Sequence, residues 1–364
     1  MARKKANPEG NSRGLSTVLM ARFSALGDVA MTVPVIYSAC RTYPDIQFVL
    51  ATRPSMTGIF VNAPANFKAV GFDVKERYAG VAGIRRMADE LVREYRPDIF
   101  VDLHNVLRTN MLSVFLKLKG ISTERIFKPR AKRRALTRST NKVMLPLISQ
   151  RARYREAFYK SGIGFSDSFK GLYGGHSKAP ADLFSPITQP KPAGEKWVGI
   201  APFAAHDGKV YPPEMMEKVV AMLDEESKSI GLRIFLFGGG AAECEILDAW
   251  AERYGSVTSL AGKKYGFPAE LALLNHLDVM LTMDSANMHL AAIASAPTVS
   301  VWGATHPYCG FKGWHQTDAD TIQLPLDCRP CSVFGNKPCR RGDKLCLTAI
   351  NPSVIFNKLK EYLS

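Results

Sequence analysis

No apolar run in this 364-residue chain is long enough to span a bilayer as a helix. Acidic residues are absent from Arg125 to Arg155, a stretch holding eleven Lys or Arg. Those eleven supply most of the formal net charge of +15. No Ser/His/Asp arrangement points to a hydrolase, and no paired strand aromatics point to a nucleic-acid module. Cysteines number only seven, and in a cytoplasmic setting disulfides are not expected. Met1 to Gly14 reads as a loose basic tail. The apolar segment after it is interrupted by Arg22 and Asp28, so no cleaved signal peptide is expected and the compartment reads as cytoplasm. A basic block without acids is commonly just a solvated loop. Its functional reading is a polyanionic partner, here an anionic membrane-associated substrate rather than nucleic acid.

What is present is alternation. With 46% hydrophobic residues and this length, two domains of ordinary size are expected. Ser16 to Phe23 reads as a strand, Ser24 to Asp28 as a turn, and Val29 to Tyr43 as one apolar helix with Pro34 near its start. Further strands are expected at Ile46 to Ala51, Lys68 to Phe72 and Asp98 to Leu103, with helices at Val81 to Tyr95 and Asn110 to Leu118. The pattern turns irregular from Lys142 to Lys196, then resumes with strand Trp197 to Ala201, helix Pro213 to Lys228, strand Leu232 to Phe237 and helix Ala241 to Tyr254. Strand–helix–strand follows around Thr282-Met283-Asp284-Ser285-Ala286-Asn287-Met288-His289. The expected architecture is α/β, two Rossmann-like doubly wound parallel-sheet domains facing across a cleft. The expected division is 1–185, 186–350 and a terminal helix, 351–364, packing back on the first domain.

Candidate site residues fall where strands end. Gly27-Asp28 opens a helix after the first strand, where Asp28 is either a plain cap or a general base. Lys209, in the loop after Ala201-Pro202, is either solvated or a phosphate partner. Ser285 and Ala286 begin a helix whose free N–H groups suit an anion, and His289 lies one turn on. Gly238-Gly239-Gly240 resembles a phosphate loop but serves plain turns as well. Glu243 either complements its helix dipole or contacts a nucleoside. His104, Asn105 and Arg108 follow a first-domain strand. Cys328, Cys331, Cys339 and Cys346 have spacing a structural zinc can use, the weaker reading of that stretch. Asp318-Ala319-Asp320 has the spacing of a sugar-nucleotide metal motif, but it lies in a late polar loop and is discounted.

Taken in order, Arg22-Phe23-Ser24-Ala25-Leu26-Gly27-Asp28 through Pro34, the loop Pro202 to Pro212, and Asp284-Ser285-x-x-Met288-His289-Leu290 with Gly303-x-Thr305-x-Pro307 resemble glycosyltransferase family 9, the lipopolysaccharide heptosyltransferases. The resemblance spans about Thr17 to Leu359 and implies the GT-B fold. It implies an inverting transfer from a nucleotide sugar, ADP-heptose favoured, to a lipopolysaccharide core at the inner face of the cytoplasmic membrane. Asp28 is then the general base. Lys209, Asp284, Ser285, Ala286, His289, Gly238 and Glu243 serve the donor. Gly27, His104, Asn105, Arg108, Arg133 and Arg134 serve the acceptor. No metal or cofactor is required on this reading. Ala204-Ala205 and Ala286 depart from the family's usual hydroxyl pair and glycine. The alternatives are another nucleotide-sugar enzyme, such as an epimerase acting at the anomeric carbon, and a non-catalytic polyanion-binding protein.

Overall fold

The computed structural model describes residues 14–364, and the expected basic tail lies almost wholly outside them. The chain divides into two units. The first comprises residues up to Lys128 together with Ile148–Leu172, and the second Pro129–Leu147 together with Tyr173–Ser364.

In the first unit, β1 (Thr17–Ala21), β2 (Gln47–Thr52), β3 (Phe67–Gly71), β4 (Ile99–Asp102) and β5 (Ser122–Arg125) form a parallel sheet in the order β3-β2-β1-β4-β5. Helices α1 (Leu26–Ala30), α2 (Val33–Thr42), α3 (Gly80–Tyr95) and α4 (Leu107–Leu118) lie between strands. The single helix expected from Val29 to Tyr43 is two. Thr32 turns its hydroxyl back to the Val29 carbonyl (2.7 Å), and Pro34 has no N–H to continue the ladder. Next come α5 (Arg130–Leu136), in the second unit, and α6 (Gln150–Lys160), in the first. Neither was expected from the sequence.

The second unit repeats the plan with β6 (Lys196–Ala201), α7 (Pro213–Glu226), β7 (Leu232–Leu236), α8 (Ala241–Arg253), β8 (Val257–Ser259), α9 (Phe267–His276), β9 (Val279–Met283), α10 (Ala286–Ile293), β10 (Thr298–Val301) and β11 (Thr321–Ile322). Its parallel order is β11-β10-β9-β6-β7-β8. Both sheets therefore run outward from the first strand and then reverse to place the fourth beside it, the doubly wound order. The same device fixes that neighbour in each. Asp98, just before β4, accepts the Ser16 and Thr17 amides (2.7 and 2.8 Å), and Asp278, just before β9, accepts the Trp197 amide (2.6 Å).

The chain ends with α11 (Leu345–Thr348) and α12 (Pro352–Lys360). The last helix belongs to the second unit. Ile355, Leu359 and Leu363 are buried in the second unit's core with Met216, Val219, Val220 and Leu223. That apolar stripe has its partner on α7, and Lys360 pairs with Glu226 at the end of α7 (3.1 Å). No helix among the described residues is long and apolar enough to cross a membrane.

Leu359 is fully buried, so Leu359→Ala removes a core side chain and leaves a cavity. We expect about 2–5 kcal/mol of lost stability in urea unfolding. A loss under about 1 kcal/mol contradicts this packing.

Candidate functional site

Ligands of doubly wound sheets gather at the carboxyl ends of strands where the order reverses. In the first unit that point lies between β1 and β4. Arg22, one residue past β1, is buried, and its guanidinium donates to the Leu103 carbonyl (2.9 Å) and pairs with Asp28 Oδ2 (2.6 Å). Arg22 also lies over the Tyr154 ring (5.9 Å), and the Tyr154 hydroxyl donates to the Asp28 carbonyl (3.1 Å). The Ala25 amide donates to the same Oδ2 (3.3 Å). Asp28 therefore does cap its own short helix, yet the cap and the ion pair both use one oxygen. Both of these contacts leave Oδ1 aside, on a side chain 21% exposed. Gly27 is buried beside it.

His104 reaches the turn before α1, with Nε2 3.4 Å from the Ser24 hydroxyl. Burial, reinforced by Arg22 and Lys128, pushes its pKa down to about 3, so the ring is neutral at physiological pH. Asp102 at the end of β4 accepts the His104 and Asn105 amides (both 2.8 Å) and shapes the turn, and burial raises its pKa. Asn105 and Arg108 point elsewhere. The Asn105 amide group donates to the Ile126 carbonyl (2.9 Å), and Arg108 donates to the Val74 carbonyl (3.1 Å).

In the second unit the reversal lies between β6 and β9, and the donor-side candidates collect there. Lys209, ending a short turn after β6, pairs with Asp284 Oδ2 (2.9 Å). Asp284 is 5% exposed at its side chain and takes a second bond from the Thr305 hydroxyl (2.8 Å). Ser285 is the cap residue of α10 in extended conformation, but its hydroxyl turns to Thr282 (3.1 Å) instead of capping. α10 starts at Ala286 with no side-chain cap on its first amides, and His289 is buried one turn along. This is a cation beside a helix N-terminus, an arrangement that suits a phosphate.

Gly238 follows β7, packed so closely that a Cβ there would lie 2.6 Å from Leu247. Glu243 is occupied by its own loop, its Oε2 accepting the Gly239 and Gly240 amides (2.9 and 3.4 Å). Of its two expected readings, the structure displays the helix-capping one.

Arg133 and Arg134 belong to the second unit rather than the first, where the sequence reading placed them. Arg133 lies over the rings of Phe334 (5.4 Å) and Phe311 (5.9 Å), and Arg134 is exposed. Cys328, Cys331, Cys339 and Cys346 line one cavity of about 600 Å³ with His206 and Asp207. All are free thiols. Among the described residues no three His, Cys, Asp or Glu side chains are grouped to hold a metal ion. The Cys331 thiol donates to the Cys328 carbonyl (3.3 Å).

Sequence reasoning missed three participants. Arg22 and Thr305 stood inside the quoted motifs but were given no role. Arg329, 2% exposed, had no signal at all; it gathers the carbonyls of Trp302, Gly303 and Thr305 (3.1, 2.5 and 2.9 Å).

Comparison with known proteins follows the same lines. Residues 84–337 match the family Glycosyltransferase family 9 (heptosyltransferase). Lipooligosaccharide heptosyltransferase 2 of Campylobacter jejuni is 23% identical over 343 residues, covering 93% of this chain and 95% of that protein. A family 9 glycosyl transferase from Veillonella parvula superposes with a TM-score of 0.70 at 17% identity, covering 96% and 97% of the two chains. The ADP-heptose lps heptosyltransferase II of E. coli does so with a TM-score of 0.66 at 16% identity, covering 96% and 98%. Those likenesses give the fold, two parallel-sheet α/β domains of GT-B type. With the family matched over more than half its length, the chain belongs to glycosyltransferase family 9, the heptosyltransferases, and is a glycosyltransferase.

Proposed function

We propose that this enzyme transfers a heptose from ADP-heptose to a lipopolysaccharide core acceptor with inversion at the anomeric carbon. The observation that carries the reading is the pair of occupied reversal points. An arginine-held carboxylate lies in the helix that follows β1, and a lysine clamped by a buried aspartate lies in the loop that follows β6. The names of the similar heptosyltransferases support the donor and the acceptor class.

On this reading Asp28 Oδ1 accepts the proton of the acceptor hydroxyl as that oxygen attacks the anomeric carbon. The bond to the diphosphate oxygen breaks, and negative charge grows on the departing ADP. Lys209 and the first amides of α10 supply the positive charge that stabilises it. His104, neutral, offers a hydrogen bond to the acceptor. His289 and Gly238 shape the donor pocket, and Glu243 is assigned to the nucleoside from its place after β7.

The acceptor's lipid places the work at a membrane surface, and Arg130–Leu147 suits that setting. Arg130, Lys132, Arg134 and Arg138 are exposed there, as are Val143, Met144 and Leu145 (43%, 41% and 66%). Cations next to exposed apolar side chains match an anionic lipid surface, where each cation contributes about 1 kcal/mol. We place the enzyme at the cytoplasmic face of the inner membrane.

Asp28→Asn is expected to lower kcat by about 10²- to 10⁴-fold while ADP affinity stays unchanged. Loss of ADP binding in that variant refutes the base assignment. Lys209→Ala removes a charge-assisted partner worth about 1.5–3 kcal/mol, so ADP binds about 10- to 100-fold more weakly by calorimetry. Unchanged ADP affinity takes Lys209 out of the site. In sedimentation with vesicles, anionic lipid binds the protein and zwitterionic lipid does not. Replacing Arg134 and Arg138 with serine lowers the anionic partition by on the order of tenfold, and equal binding to both lipids contradicts the assigned surface.

A further inference from the structure

Between β11 and α11 the chain runs from Gln323 to Lys344 with almost no regular structure. A stretch of that length inside a folded unit is commonly functional, and here it needs anchors to hold one conformation. It has several. Arg329 binds the carbonyls that follow β10, and the Cys331 amide donates to the Ala304 carbonyl (2.8 Å). Lys142 from the basic segment donates to the carbonyls of Asp327 and Arg329 (both 2.8 Å). Arg133 covers Phe334, and the next residue is Gly335.

Gly335 sits against the stem of Lys209. Its backbone is left-handed (φ +74°), and a Cβ there would lie 2.6 Å from Lys209 Cγ and 3.1 Å from Cε. The Gly335 carbonyl likewise stands 2.7 Å from where a Cβ on Gly208 would be. Lysine has a long flexible stem whose ordering costs entropy on binding. Here the stem rests on bare backbone at Gly335 while its ammonium is held by Asp284. A side chain at Gly335 would force the Lys209 stem to shift.

We propose that Gly335 is a positioning residue: the cysteine-rich segment presents it as a floor that aims Lys209 at the donor diphosphate. The proposal rests on the donor role assigned to Lys209 above. It accounts for a segment that the transfer chemistry does not otherwise use.

The test is ADP affinity by calorimetry, with donor KM and kcat, for Gly335→Ala, Lys209→Ala and the double variant. Gly335→Asn places the same Cβ with a residue that tolerates left-handed backbone, which separates the clash from strain. Gly342→Ala is the control, with similar φ (+82°) and open space where its Cβ would go. Gly335→Ala and Gly335→Asn are expected to weaken ADP binding about tenfold and raise donor KM, with Gly342→Ala near wild type. In the Lys209→Ala background Gly335→Ala adds no further loss, because the two act through one side chain. Wild-type ADP affinity in both Gly335 variants overturns the proposal, as does a full additional loss in the double variant. If Lys209→Ala itself leaves ADP binding unchanged, the donor reading of Lys209 fails and this role fails with it. A loss in Lys209→Ala without one in the Gly335 variants refutes the positioning role alone.

Discussion

A carboxylate carried to the end of a central strand and buried there must be met by charge and hydrogen bonds, or it costs several kcal/mol. Asp284 is that carboxylate. Lys209 and Thr305 both reach its Oδ2. Thr305 in turn belongs to a turn whose carbonyls are held by Arg329. The loops after β6, β9 and β10 and the irregular segment beyond β11 are therefore tied to one oxygen. The pair also holds the Lys209 ammonium in one orientation, on a side chain only 15% exposed, which is the state the proposed diphosphate site requires.

The first unit solves the same problem with the opposite sign. There the buried group is the Arg22 guanidinium, and the carboxylate is the partner left partly exposed. A buried cation holding an acid by one oxygen keeps the other in place without consuming it. Both arrangements sit where the strand order reverses, since only there do two neighbouring strands send their following loops apart.

The sheets were largely legible in the sequence. Parallel strands buried on both faces read as unbroken apolar runs, and Trp197 to Ala201 is one. The helices that escaped notice had no clean stripe. In α9, Ala269, Leu271, Ala272, Leu273 and Leu274 are all buried, so no polar face marks the period. In α6, Tyr154, Ala157 and Phe158 do face inward, but the surrounding arginines mask them. At the site, Lys209 and Asp284 were each visible. Their pairing was not, because it depends on β9 lying beside β6 rather than on any local spacing. Charge counting misled in one respect. Of the basic residues between Arg125 and Arg155, Lys142 is spent on backbone carbonyls and Arg153 is buried, so the exposed set is smaller than the composition implies.

The division of the chain has a consequence for synthesis. Pro129–Leu147 belongs to the second unit, yet it is made before Ile148–Leu172 completes the first. During translation it therefore waits without the partners that Lys142 and Arg133 later hold. Neither unit is one continuous piece of polypeptide, and a gene cut after Leu172 would separate the later half from a segment that braces its irregular loop.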